Sequence, residues 1–123
     1  MLLFAYGTLK DPIQLAAVIG AAAPWRILGA GAVRGVLYDA GAYPALQRSD
    51  SPTDVVAGVL LEIDDDAALA RLDAYEGVDS GLYVREPAEV RMDDGRRQTA
   101  WLYVYNRSAV ALPRIAAWPP TRG

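Results

Sequence analysis

Neither cysteine nor histidine occurs in the 123 residues of this chain. Their absence removes disulfides, thiol nucleophiles, Ser-His triads, imidazole bases and the usual zinc ligands together. Lysine occurs once, as Lys10, so acid-base chemistry falls to Asp, Glu, Tyr or that single ammonium group. A basic stripe is also missing: the net charge is -3, and nucleic acid is not an expected partner. No apolar run approaches the roughly 18–20 residues that span a bilayer, so a membrane is not expected either. Residues 2–6 are too short and too soon interrupted for a signal peptide, and no basic segment precedes them. A chain without cysteine fits the cytoplasm, which is the expected location.

What the chain does have is a hydrophobic share of 53%. A domain of this size buries roughly two-thirds of its unfolded surface, enough for a core that needs no metal or crosslink. One domain is expected over residues 1–106. Residues 107–123, with Pro113, Pro119 and Pro120 and no clear periodicity, read as a C-terminal tail.

The first apolar run, residues 2–6, predicts a short strand buried on both faces and stopped by Gly7. Asp11, Pro12 and Gln14 then supply a cap, a first-turn proline and a capping-box partner. They predict a helix over 11–19 with Leu15, Val18 and Ile19 facing inward. Two glycine-broken runs, Val33–Asp39 and Val56–Glu62, echo each other. They read as an internal duplication or, the preferred reading, as two strands of a curved sheet with glycine where each bends. The segments 41–44 and 49–52 between them are turn chemistry.

Asp64, Asp65 and Asp66 open a second helix over 65–76, where acidic residues suit the positive end, and Gly77 closes it. Strands over 82–92 and 96–105 flank Asp94-Gly95, a hairpin signal, and Pro87 assigns the first of them to an edge or a bulge. Both are partly apolar on two faces, as in a small closed barrel covered by helices. The expected fold class is therefore α+β, a small mixed β-barrel flanked by helices.

On the second helix Ala68, Leu69, Leu72 and Tyr75 form the apolar stripe. Glu76 projects between Leu69 and Leu72 on the same face. A carboxyl placed there is desolvated, and it also meets the partial negative charge of the helix end, so its pKa rises. That is the condition of a good general acid-base. The plainer reading is a frayed helix end with Glu76 in water. The turn Tyr6-Gly7-Thr8-Leu9 also has two readings. It is an ordinary strand-to-helix turn, or its successive N–H groups form a pocket for a carboxylate or oxyanion, with Gly7 in a conformation closed to other residues. Two other patterns carry no site. Gly29 and Gly31 begin a dinucleotide fingerprint that fails at Arg34, and Asp64–Asp66 is a solvated helix start rather than a metal site. No metal and no cofactor is expected.

Three motifs in order, Tyr6-Gly7-Thr8-Leu9, Leu72-Asp73-Ala74-Tyr75-Glu76-Gly77 and Tyr83-Val84-Arg85, resemble the gamma-glutamylcyclotransferase-like family, which includes the gamma-glutamylamine cyclotransferases. Val33-Arg34-Gly35-Val36-Leu37-Tyr38 agrees as well, and the likeness covers about residues 2–105. The resemblance implies that Tyr6, Gly7, Thr8 and Leu9 bind a glutamyl group through their backbone and that Glu76 is the catalytic acid-base. It further implies Tyr83, of the Tyr83/Arg85 motif, as a pocket wall and the Tyr43-Pro44 loop as a flank of the site.

The implied reaction is cofactor-independent: the α-amine of a γ-glutamyl compound attacks its own amide, releasing 5-oxoproline and an amine or amino acid. Intramolecular attack supplies proximity worth up to roughly 7–11 kcal/mol where alignment is good. The only partner this requires is a small γ-glutamyl substrate, and the chain is expected as a monomer or homodimer. A different class, a non-catalytic metabolite-binding module on the same fold, is the alternative. Glu76 counts against it, because a binder of an anionic ligand gains nothing from a buried anion.

Overall fold

The structure is a computed structural model and describes residues 1–20 and 22–120. Seven strands are formed: β1 (Leu2–Ala5), β2 (Trp25–Asp39), β3 (Pro44–Arg48), β4 (Val55–Ile63), β5 (Tyr83–Met92), β6 (Arg97–Tyr105) and β7 (Arg114–Ile115). Two helices, α1 (Pro12–Ile19) and α2 (Ala67–Glu76), accompany them, and Thr8–Lys10 makes a single 3₁₀ turn. The strand order β3-β2-β4-β1-β6-β5 closes on itself because β5 returns to β2 at Gly31↔Met92 and Ala32↔Arg91. The result is a five-stranded barrel, β2-β4-β1-β6-β5. Its one parallel pairing is β1 with β6, and β3 and β7 add to the two edges of the far half of β2. This is the mixed barrel with two helices that the sequence predicts.

β1 shows why several strands are apolar on both faces. Side chains alternate along a strand, so neighbours serve opposite sides. Phe4 packs inside the barrel with Leu37, Leu60, Val90 and Leu102. Leu3 and Ala5 pack outward beneath the helices with Leu15, Ile19, Ala68 and Leu72. The wall thus separates two apolar clusters and is wetted on neither side. Gly58 on β4 permits the close approach of β1, since a Cβ there would stand 2.4 Å from the Ala5 carbonyl oxygen. The irregularity in β2 lies elsewhere, between Ile27 and Gly29, where the register against β4 shifts.

α1 begins on a side-chain cap, whereas the N-cap of α2, Asp66, makes no such bond and the residue before it caps the first turn instead. Asp11 accepts from the Ile13 N–H at 3.0 Å, and Asp65 from the Ala67 N–H at 3.0 Å. The Gln14 side chain does not complete a capping box but extends its amide toward the Tyr75 hydroxyl. α2 ends at Gly77 with φ +70, and Val78 N–H returns to the Asp73 carbonyl, a left-handed cap that suits glycine. The expected stripe of α2 is only partly realised. Ala68 and Leu72 are fully buried and Leu69 is half-buried, but Tyr75 is 42% exposed. The last turn of the helix overhangs a pocket rather than the core, so Tyr75 has no apolar cluster to enter.

Pro87 sits where β5 has a strand neighbour on one side only, opposite Trp101 of β6. Its carbonyl accepts from Arg48 of β3 at 3.1 Å across the gap. Residues 107–120, read from sequence as a tail, lie against the barrel. Asp39 N–H donates to Pro113, Arg114–Ile115 pair with β2, and Ile115 and Trp118 pack on the inner cluster. The rest of that stretch, 121–123, lies outside the described residues.

Candidate active site

A pocket of about 240 Å³ opens where the end of β1, the last turn of α2 and the β2–β3 connection meet. Tyr6, Gly7, Thr8, Leu9, Tyr43, Tyr83 and Glu76, the seven residues singled out from sequence, all line it. Its volume lies below the roughly 300–1,000 Å³ of drug-sized sites and suits a small metabolite.

Glu76 reaches the pocket because α2 carries it on the same face as Leu72, four residues earlier. Burial pushes its carboxyl up to about 7. None of the ion pairs among the described residues includes it. It is the only carboxyl among the lining residues, so a proton can be taken and returned at one known place.

Three tyrosines near it, Tyr6, Tyr83 and Tyr103, are held in their protonated form. Tyr6 donates its hydroxyl to the Tyr103 carbonyl, and Tyr83 donates to the Pro44 carbonyl. Burial pushes the phenols of Tyr6, Tyr83 and Tyr103 well above the ordinary tyrosine range, with the nearby Glu76 charge adding to the shift. Tyr43, Tyr83 and Tyr105 pack ring to ring, with centroids 5.8 to 6.4 Å apart, and build one apolar wall.

The turn after β1 forms the opposite side. Lys10 N–H closes onto the Gly7 carbonyl and Asp11 N–H onto Thr8. The N–H groups of Gly7, Thr8 and Leu9 have no protein acceptor among the described residues, and all three residues line the pocket. Gly7 has φ -116 and ψ -141, outside the β and right-handed α regions that most residues occupy, and space adds a second reason for glycine: a Cβ there would stand 2.9 Å from Pro44 Cγ.

Arg85, which the motif also contains, does not line the pocket. It binds Asp73 at 2.8 and 3.2 Å and lies 4.3 Å above the Trp101 ring. Asp73 also accepts from the Tyr103 hydroxyl at 2.8 Å. Other residues of the lining were not placed at the site from sequence, among them Tyr75, whose hydroxyl shares a 3.0 Å hydrogen bond with Thr8 Oγ1, Tyr103 and Leu82. For Tyr103 a signal exists, the aromatic row Trp101, Tyr103, Tyr105 at a spacing of two on the helix-facing side of β6.

The described residues contain no group of three or more acidic side chains able to hold a metal ion. No described helix is long and apolar enough to cross a membrane.

Comparison with solved structures gives the same fold. An AIG2-like protein from Mus musculus is 23% identical, with a TM-score of 0.77 over 95% of this chain and 86% of that one. A protein described as a gamma-glutamyl cyclotransferase is 20% identical, with a TM-score of 0.70 over 98% of this chain and 71% of that one. A protein from Arabidopsis thaliana is 25% identical, with a TM-score of 0.68 over 89% of this chain and 65% of that one. No curated protein matches the sequence. The family model described as gamma-glutamyl cyclotransferase, AIG2-like, matches residues 3–119. With nearly the whole sequence matched and the barrel, helices and pocket in place, the chain belongs to the gamma-glutamyl cyclotransferase, AIG2-like family.

Proposed function

We propose that this protein cyclises a small γ-glutamyl compound to 5-oxoproline, with Glu76 as the single acid-base. The observation that carries the reading is a carboxyl whose pKa burial raises to about 7, in a pocket also lined by three successive residues whose backbone N–H groups have no protein acceptor among the described residues. The turn amides of Gly7, Thr8 and Leu9 hold an oxygen of the glutamyl group, and the wall of Tyr43 and Tyr83 bends its chain. The substrate α-amine attacks the γ-carbonyl carbon, and Glu76 takes the proton released. A C–N bond forms within the substrate as the amide C–N bond breaks. Glu76 then returns the proton to the departing nitrogen, so neither water nor cofactor is consumed. A group with a pKa near the working pH serves well in both directions.

The test is incubation with a panel of γ-glutamyl amino acids and γ-glutamylamines, followed by assay of 5-oxoproline and the freed amine. Stoichiometric release of both, lost in Glu76→Gln, is the expected result. Saturable binding of the same compounds with no 5-oxoproline would instead identify a metabolite-binding module.

A further inference from the structure

A second cleft, of about 490 Å³, begins at the turn that lines the first pocket. Gly7 and Thr8 line both, so the two spaces meet at the turn. A reaction that splits one substrate into two products can use such a pair: the glutamyl half in one, and the half that leaves in the other. The remaining walls of the second cleft are Lys10, Asp11, Gln14, Trp118 and Pro119.

Their chemistry is specific. Lys10 is the only lysine of the chain. It donates from Nζ to the Trp118 carbonyl at 2.7 Å, which uses one of its three N–H bonds. No carboxylate pairs with it among the described residues. Partial burial lowers its pKa, and the opposite charge of an incoming anion would offset that cost. Trp118 is anchored from behind by the inner core cluster and adjoins Pro119, an apolar face next to an unneutralised cation. Asp11 is occupied at one oxygen by the Ile13 N–H.

We propose that this cleft is the leaving-group subsite, and that Lys10 and Trp118 select a leaving group with a free carboxylate and an apolar side chain, an amino acid rather than a simple amine. The inference rests on the cyclotransferase reading above and adds which half of the substrate lies where. It also assigns a role to the 113–119 segment, which brings Trp118 to the N-terminal turn across more than one hundred residues of sequence.

The experiment compares kcat/KM for γ-glutamylphenylalanine and for γ-glutamylphenethylamine, which lacks only the carboxylate. Wild-type protein is expected to favour the former at least about 10-fold, the scale of one hydrogen bond to a charged group. Lys10→Met should collapse that ratio, and Lys10→Arg should restore much of it. Trp118→Ala should erase the preference for γ-glutamylphenylalanine over γ-glutamylglycine. A Lys10→Met variant that slows both aromatic substrates equally would show that Lys10 only tethers the chain, and the subsite would be rejected. Turnover confined to carboxylate-free γ-glutamyl compounds would also reject it while leaving the cyclotransferase reading intact. Absence of 5-oxoproline from every γ-glutamyl compound would overturn the cyclotransferase reading itself, and the subsite with it.

Discussion

Asp73 receives two N–H bonds from the Arg85 guanidinium, at 2.8 and 3.2 Å, one helical turn before Glu76. Asp73 belongs to α2 and Arg85 to β5, and the Tyr103 hydroxyl of β6 joins them at 2.8 Å. The helix that carries Glu76 is thus fastened to the barrel wall by a planar, half-buried ion pair, beyond what the apolar contacts of Leu72 provide. Residues three apart on a helix share a face, so holding Asp73 also orients Glu76. A two-pronged pair of this kind is directional in a way that a single surface contact is not.

Asp73→Asn is therefore expected to lower kcat about 10-fold with little change in KM, because Glu76 loses alignment rather than the substrate losing a contact. Stability should fall by about 1–3 kcal/mol, the scale of a hydrogen-bonded charge left without its partner. Steady-state kinetics with a thermal melt checks both. An unchanged kcat in a destabilised protein would confine Asp73 to folding.

Glu76→Gln keeps the shape of the side chain and removes the proton carrier. Turnover should drop about 10²–10⁴-fold in a folded protein. Circular dichroism establishes the fold and 5-oxoproline assay the loss. Undiminished turnover would eliminate Glu76 as the acid-base.

The raised pKa of Glu76 has consequences in both activity and stability. As a base, the carboxyl must be ionised, so the acid limb of the kcat/KM profile should lie near pH 7 rather than at the 4.5 of an ordinary glutamate. In the folded chain the proton is held up to about pH 7, and in the unfolded chain only to about 4.5. Between those values the folded state binds more protons, so stability decreases as pH rises through this window, by about 3 kcal/mol in all. Glu76→Gln escapes that loss. Denaturant titrations of both proteins at pH 5 and pH 8 should show the variant gaining on the wild type at pH 8. An equal difference at both pH values would contradict a buried carboxyl.

Gly7→Val should weaken substrate binding more than it unfolds the protein, for a reason that involves Pro44. The new Cβ meets Pro44 Cγ and pushes the loop whose carbonyl accepts the Tyr83 hydroxyl, so both sides of the pocket move. Thr8→Ser keeps the backbone donors and the hydroxyl that meets Tyr75, and ligand titration should find it close to wild type. Wild-type affinity in Gly7→Val with failure in Thr8→Ser would show that side chains, not the turn amides, hold the ligand.

Activity should survive a chelator and a thiol reagent, since the proposed proton transfers use only Glu76 and the chain contains no thiol. Loss with a chelator that added metal reverses would direct attention to Asp64–Asp66.

Much of this arrangement is legible without coordinates. Alternation and doubly apolar runs announce the strands, Asp11-Pro12 and Gly77 mark helix ends, and Asp94-Gly95 marks the hairpin. The position of Glu76 on the inner face of α2 follows from its spacing to Leu72 alone. These are local matters, settled by the period of each element and by the φ each residue tolerates.

The inventory of elements and the face on which the carboxyl stands thus follow from local pattern. What those faces meet follows from how the elements pack. Gly7 meets Pro44, thirty-seven positions away, Tyr75 turns from a predicted core to Thr8, and Arg85 of the Tyr83 motif pairs with Asp73. The 107–120 stretch finds its place only because β2 offers an edge to Arg114–Ile115 and Lys10 a donor to Trp118. The physical reason is common to all four. Periodicity records how much apolar surface an element must hide, whereas the partner that hides it is chosen by barrel closure, which brings distant residues within a few ångström.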